Sequence, residues 1–230
     1  MVARTAAVFF DVDFTLIHPG PRFQGSGYQV SCARHGVGVD PGAFEASVAG
    51  AAAVLESSDE LYNPTIYLAY TCRIIELMGG RGPGVAIAAQ EIFDDWNEHH
   101  HFSLYDDVPG ALETLRAGGM RLGLISNTQR CLASFQTHFE LGDLISVALS
   151  SSDHGYMKPH PSIFRAALDQ MQVAPEEAVM VGDSLLHDVI GARRAGMRGI
   201  LLARGGRAAP SAPDVDVISS LAELPALLLR

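Results

Sequence analysis

The chain has 230 residues, of which 48% are hydrophobic, and its formal net charge is −10 at pH 7. This length allows one large domain or a core with a smaller companion, and the apolar content excludes a disordered chain. The acidic balance argues against nucleic-acid and membrane partners, because both favour basic patches. No stretch reaches the roughly 20 apolar residues of a membrane span, and Asp11 and Asp13 interrupt the apolar run near the N-terminus, so we expect no secretory signal.

The three cysteines, Cys32, Cys72 and Cys131, are scattered along the chain and form no CxxC pair. Such a set predicts free thiols in a reducing compartment, so we expect a cytoplasmic protein. We also expect all three to be small buried side chains.

Apolar segments that suit buried strands alternate with helical segments through most of the chain. The predicted strands are Ala6–Phe10, Arg121–Ser126, Ile145–Leu149, Ala178–Val181 and Gly199–Leu202. The predicted helices are Pro109–Ala117, Arg130–Phe139, Pro161–Met171, Asp188–Ala195 and, after a Pro-Ser-Ala-Pro loop at 210–213, Ser219–Leu229. This alternation predicts an α/β fold with a Rossmann-like, doubly wound parallel sheet.

Residues 18–102 break the alternation and have the pattern of helices only. Asp40-Pro41 and Asn63-Pro64 each combine a helix N-cap residue with a proline that suits the first turn. The predicted helices are Ala43–Leu55, Thr65–Met78 and Val85–Glu98. We therefore expect residues 18–102 to form an inserted all-helical cap domain, and residues 1–17 and 103–230 to form the core.

The end of the first predicted strand carries two carboxylates and a hydroxyl, from Asp11, Asp13 and Thr15. Carboxylates rarely enter buried strands unless they are paired or bind a metal. In open α/β sheets, ligands bind outside the carboxyl ends of the strands. Taken alone, the two acids are equally well explained as turn residues.

Three further segments place polar residues where predicted strands end or helices begin. They are Ser126-Asn127, Lys158 between Met157 and Pro159, and Gly182-Asp183 followed by Asp188. Each has an ordinary alternative interpretation, as a loop, a solvated lysine, a helix N-cap or an exposed acid. Together, carboxylates, a hydroxyl and the one lysine of the chain suit Mg²⁺-assisted phosphoryl transfer.

Other polar groups are assigned structural roles. No set of His and Cys residues has the spacing of a zinc site. The run His99–His101 predicts a solvated hinge, since adjacent residues do not share one helix face. We expect His18, Arg22 and Arg204 to be surface residues, and the alternative is that they lie near the mouth of the site and contact substrate.

On these motifs the chain resembles the haloacid dehalogenase (HAD) superfamily of hydrolases. The matching residues follow the superfamily's four motifs in order: Asp11, Asp13 and Thr15, then Ser126, then Lys158, then Gly182, Asp183 and Asp188. The insertion resembles a C1-type helical cap, and the chain looks most like the branch with phosphoglycolate-phosphatase-like and REG-2-like members.

The resemblance implies a mechanism. Asp11 is the expected nucleophile, which forms an aspartyl phosphate, and Asp13 is the expected acid and base. The residues implied to bind substrate are Thr15, Ser126, Asn127 and Lys158, of which Ser126 and Lys158 also count as catalytic. The implied magnesium site uses the Asp11 carboxylate, the Asp13 carbonyl and Asp183, while Asp188 orients the water around the metal.

One position departs from the superfamily pattern, because Phe14 stands where glycine usually follows the second aspartate. We expect a Mg²⁺-dependent phosphatase acting on a small phosphorylated metabolite. A sugar phosphomutase, a 2-haloacid dehalogenase and a catalytically silent binding protein are the alternatives, and both a monomer and a homodimer stay open.

Overall fold

The computed structural model describes residues 4–56, 60–206 and 214–229, and its main element is a six-stranded sheet. Its strands are β1 (Ala7–Phe10), β4 (Arg121–Ser126), β5 (Ile145–Ser150), β6 (Ala178–Gly182), β7 (Arg198–Leu202) and β8 (Asp216–Ile218). Their order in the sheet is β5-β4-β1-β6-β7-β8, and every pairing is parallel. The α/β, Rossmann-like prediction is confirmed.

The first strand lies in the middle of the sheet, between β4 and β6. Ala7 and Phe9 pack into an apolar cluster with the helix Pro161–Met171, whereas Val8 and Phe10 point to the opposite face and are equally buried. Both faces of the sheet are therefore covered, as parallel sheets require. The carboxyl ends of β4, β1 and β6 meet at one edge, which is where the predicted motifs lie.

The helices of this unit are α6 (Val108–Ala117), α7 (Leu132–His138), α8 (Ser151–His154), α9 (Pro161–Met171), α10 (Gly191–Arg194) and α11 (Leu224–Leu228). A π-helical turn covers Leu185–Ile190, and 3₁₀ turns cover Pro175–Glu177, Arg204–Gly206 and Leu221–Glu223. Predicted Arg121–Ser126 and Pro161–Met171 match the observed elements.

Some core boundaries differ from the predictions. The helix expected at Asp188–Ala195 starts earlier, as the π-helical turn, because the Ser184 hydroxyl caps it by accepting a hydrogen bond from the His187 N–H. The helix expected at Ser219–Leu229 is a 3₁₀ turn followed by α11. The sequence pattern also missed β8, which has only three residues. The loop predicted at 210–213 lies outside the described residues.

The chain divides into two compact units, residues 1–18 with 104–230, and residues 19–103. The second unit contains α1 (Gly25–Arg34), α2 (Phe44–Ala51), α3 (Ala53–Glu56), α4 (Thr65–Leu77) and α5 (Gly84–Asp95), with 3₁₀ turns at Pro21–Phe23, Pro41–Ala43 and His99–His101. A two-stranded sheet of β2 (Ile17–Pro19) and β3 (Phe102–Leu104) contains the two points where the chain passes between units.

The expectation that 18–102 is wholly helical is thus wrong at both ends, where three-residue strands are too short to show alternation. The sequence pattern also failed to predict α1, because its two glycines and its many polar residues have low helix propensity. The helix predicted at Ala43–Leu55 is divided at Ala52. Asp40 does cap its turn, as predicted, by accepting a hydrogen bond from the Gly42 N–H at 2.9 Å.

The cysteines differ in burial from what the composition suggested. Cys32 is buried and Cys72 is half-buried, but Cys131 is exposed because it precedes α7 at the protein surface, so the expectation of three buried thiols is wrong. Among the described residues, no helix has the length and apolar character needed to cross a membrane.

Candidate active site

The parallel order of the sheet brings three predicted motifs to one edge. Asp11 follows β1, Ser126 ends β4 beside it, and Asp183 follows β6 on the other side. Register supports this placement, since Phe10 of β1 pairs with both Leu124 and Val181. Residues far apart in sequence therefore converge at the switch point expected for ligand binding.

Lys158 is the centre of the cluster. Its Nζ donates hydrogen bonds to Asp11 Oδ1 at 2.6 Å, to Asp188 Oδ1 at 2.6 Å and to the Ile125 carbonyl at 2.8 Å. The side chain is only 2% exposed, which rules out the solvated-lysine interpretation. Burial alone would lower the pKa of Lys158, but the two carboxylates outweigh burial and raise the pKa, so the ammonium stays charged.

Asp188 reaches this lysine because of the turn that follows β6. Its Oδ2 accepts a hydrogen bond from the Ser184 N–H at 2.9 Å, and its side chain is 1% exposed. A Cβ on Gly182 would collide with the Asp188 carboxyl group. Glycine at 182 is therefore what lets the acid approach the end of β6.

Asp11, Asp183 and Asp188 each offer a carboxylate oxygen within 4.8 Å of the others. Burial raises the pKa of Asp11 to about 7, and the nearby Asp188 adds to this effect, although Lys158 opposes it. The single positive charge of Lys158 therefore does not balance the negative charge of the three carboxylates. A hard divalent cation with oxygen ligands fits this donor set.

Asn127 is joined to the backbone of Lys158 by two hydrogen bonds. Its Nδ2 donates to the Lys158 carbonyl at 2.9 Å, and its Oδ1 accepts from the Lys158 N–H at 2.7 Å. These bonds hold the lysine loop against the end of β4. Substrate binding by Asn127 stays a prediction.

The two predicted hydroxyls are both buried. Ser126 is 1% exposed and Thr15 is 0% exposed. The Thr15 Oγ1 has no hydrogen-bond partner among the described residues, while its carbonyl accepts from Arg204 Nη2 at 2.9 Å. Ser126 pairs in the sheet with Ser150 of β5, which fixes its backbone at the strand end.

Arg130 was not among the predicted site residues. It contacts Asp13, the second acid of the first motif. Its Nη1 lies 3.1 Å from Asp13 Oδ1 and 3.3 Å from Asp13 Oδ2. The arginine side chain is 0% exposed and that of Asp13 is 19% exposed. An arginine four residues after Ser126 carries little signal by itself, because loops after strands commonly contain one.

Phe14 adopts a φ of 63°, in the left-handed region, and is 40% exposed. Glycine takes this conformation without a Cβ penalty, which explains why the superfamily pattern has glycine there. Phe14 therefore differs from the superfamily's glycine in its side chain but keeps the backbone conformation that glycine favours.

Two arginines expected at the surface are paired instead. Arg204 donates to both oxygens of Asp107 and stacks over the Tyr105 ring, with 3.8 Å from the guanidinium carbon to the ring centre. Arg22 donates to Glu91 and Asp95. Partial burial makes these pairings necessary, since an arginine cannot be buried without acceptors.

A model of the haloacid dehalogenase-like hydrolase family matches residues 5–196. The chain belongs to this family. A phosphoserine phosphatase of Thermus thermophilus is 36% identical over 144 residues, which cover 60% of this chain and 54% of that protein. The chain thus spans about half the length of this curated relative. The C1 cap type and the branch stay predictions.

Two solved structures of this kind match nearly the whole chain. A HAD phosphatase from Thermococcus onnurineus has 26% identity and a TM-score of 0.67, covering 97% of this chain and 98% of that one. A 2-haloacid dehalogenase from Pseudomonas syringae pv. Tomato has 25% identity and a TM-score of 0.64, with the same coverage.

Proposed function

We propose that this chain is a phosphatase that hydrolyses the phosphate monoester of a small metabolite through an aspartyl-phosphate intermediate on Asp11. The observation that carries the proposal is the buried Lys158 ammonium between Asp11 and Asp188. An ammonium in this place offsets charge on the nucleophile and on an incoming phosphoryl group. The phosphatases among the relatives and solved structures support the same reaction.

The proposed reaction has two steps. An Asp11 carboxylate oxygen attacks phosphorus while the bond to the leaving oxygen breaks, and Asp13 gives its proton to that oxygen. Asp13, now a carboxylate, then takes a proton from water, whose oxygen attacks phosphorus and breaks the bond to Asp11. Inorganic phosphate leaves, and both acids return to their starting states.

We infer that Mg²⁺ is the cation of this site. Asp11 and Asp183 would hold it directly with the Asp13 carbonyl, while Asp188, already engaged with Lys158 and the Ser184 N–H, would orient bound water. When bound, the cation neutralises charge on the phosphoryl oxygens. Thr15 and Ser126 are the proposed contacts for those oxygens.

The test is release of inorganic phosphate from p-nitrophenyl phosphate. We expect turnover by the wild type with Mg²⁺, none with EDTA, and none by Asp11→Asn with Mg²⁺. Asp143→Asn, an exposed acid between α7 and β5, is the matched control and should keep full activity. Circular dichroism would establish that both variants are folded.

Activity that survives Asp11→Asn would rule out the nucleophile proposed here. The dehalogenase of related structure gives a second candidate, tested by halide release from 2-chloropropionate. Asp13 beside the carboxylate cluster favours phosphoryl transfer, because halide departure needs no proton donor. A mutase would convert a sugar phosphate to its isomer without releasing phosphate.

A further inference from the structure

Arg130 is the largest fully buried side chain of the described residues, and its guanidinium lies against a catalytic candidate. Its Nη1 approaches both carboxylate oxygens of Asp13, at 3.1 and 3.3 Å. Burying an arginine with an acid seldom adds net stability, because both groups lose their hydration. The pairing therefore suggests a role in the placement of Asp13.

The loop that carries Arg130 is anchored at several points. The Arg130 N–H donates to Thr128 Oγ1 at 3.0 Å, and the Thr128 N–H donates to Ser151 Oγ at 3.0 Å. Ser151 Oγ in turn donates to the Thr128 carbonyl at 3.3 Å. Because the loop follows β4 directly and is bonded to Ser151 at the start of α8, the guanidinium starts from a fixed backbone.

Asp13 has only short-range support of its own. Its backbone forms an isolated bridge with Ile17, and the following Phe14 N–H donates to the Ile17 carbonyl at 2.8 Å. The carboxylate is 19% exposed, so part of it faces solvent while Arg130 holds another part. An aspartate side chain needs such a contact to stay in one rotamer, and proton transfer depends on that orientation.

We propose that Arg130 is a positioning residue that holds the Asp13 carboxyl group in the orientation needed for proton transfer to the leaving oxygen. This inference rests on the proposed phosphatase function. The guanidinium is buried, so Arg130 acts through Asp13 and does not bind substrate itself. Leaving oxygens that depart poorly need the proton most, so they should depend most on Arg130.

The experiment compares kcat/KM for p-nitrophenyl phosphate with kcat/KM for phenyl phosphate. The parameter kcat/KM is chosen because it includes the step in which the leaving oxygen departs. We expect Arg130→Met to lower kcat/KM for phenyl phosphate about tenfold more than for p-nitrophenyl phosphate. Arg130→Lys keeps the charge without the planar guanidinium, so it should restore part of the loss. Arg116→Met, an exposed arginine of α6, is the matched control and should match the wild type for both esters.

Combination with Asp13→Asn separates positioning from a general structural effect. Without the Asp13 carboxyl group, Arg130→Met should add no further discrimination between the two esters. If Arg130→Met does not fold, the Arg130→Lys variant supplies the same comparison. An equal loss for both esters, or a discrimination that persists in the Asp13→Asn background, would overturn the proposal. Absence of wild-type phosphate release would instead overturn the proposed function.

Discussion

At the scale of single residues, the site depends on a glycine that has no side chain as well as on the charged side chains. Gly182 ends β6, and the Asp188 carboxyl group occupies the space that a Cβ would need. Asp188 cannot move away freely, because it also contacts Lys158 and the Ser184 N–H. A single methyl group at 182 should therefore disturb the whole cluster.

We predict that Gly182→Ala lowers the free energy of unfolding by about 1–3 kcal/mol, the usual effect of overpacking, and lowers kcat for p-nitrophenyl phosphate. Gly142→Ala is the matched control, since no described atom beyond its two chain neighbours lies within 4 Å of a Cβ built there, and its effect should stay within about 0.5 kcal/mol. Urea unfolding and initial rates measure the two quantities. Equal stability of Gly182→Ala and wild type would contradict the packing argument.

Phe14 provides a second residue-scale prediction through its φ of 63°. A β-branched side chain is strongly disfavoured in this region, whereas glycine is not. We expect Phe14→Val to reduce the free energy of unfolding by more than about 1 kcal/mol relative to Phe14→Gly. Denaturant melts of both variants check this, and Phe14→Val as stable as Phe14→Gly would show that the backbone had changed conformation.

At the scale of elements, α1 and α5 of the second unit are joined by charged groups. Glu91 of α5 accepts hydrogen bonds at 2.8 Å from Arg22 and from Arg34, and it pairs with His35 at 2.8 Å. Arg22 also contacts Asp95 and Ser31. Since α1 has little helical propensity, the hydrogen bonds and ion pairs to α5 help to define where α1 packs.

The Glu91 cluster predicts a pH dependence of stability. Burial alone would raise the pKa of Glu91, but hydrogen bonds from His35, Arg22 and Arg34 dominate and hold its pKa at about 2, below the ordinary 4.5. A folded pKa below the unfolded one means that Glu91 stabilises the fold above about pH 4.5 and loses this contribution as pH falls toward 2.

Glu91→Gln should therefore be less stable than wild type by about 1.5–3 kcal/mol at pH 7, and the difference should shrink between pH 4.5 and pH 2. Glu76→Gln breaks an exposed pair with Arg73 and is the control, with an expected effect below about 1 kcal/mol. Urea unfolding at several pH values measures both. A difference that does not depend on pH would exclude the ionised Glu91 as its source.

At the scale of the whole molecule, the buried strands β1, β4 and β6 were the best-predicted features, because mainly apolar runs of four to six residues are typical of buried strands. The motif acids and Lys158 were found because each follows or faces such a strand. Arg130 was missed because its partner Asp13 lies 117 residues away, a distance that no local pattern spans. The short strands β2, β3 and β8 form by pairing with neighbours, which periodicity does not detect.

The convergence of three carboxyl groups at one edge of the sheet also links metal binding to folding. Asp11, Asp183 and Asp188 come within 4.8 Å only because β1 and β6 are adjacent in the folded sheet. The unfolded chain has no such site, so Mg²⁺ should stabilise the native state by mass action. At a concentration about 100 times the dissociation constant, the expected gain is about 2.7 kcal/mol.

Calorimetry with Mg²⁺ and with EDTA would measure this gain as a shift of the unfolding midpoint. We expect Asp183→Asn to lose most of the shift, because it removes one of the three clustered carboxylates that are proposed to surround the cation. Asp143→Asn should show the full wild-type shift, since that acid is exposed and lies away from the strand ends. An equal rise in midpoint for Asp183→Asn and wild type would mean that the cation stabilises the fold from another place, and the site assigned to Asp11 and Asp183 would be wrong.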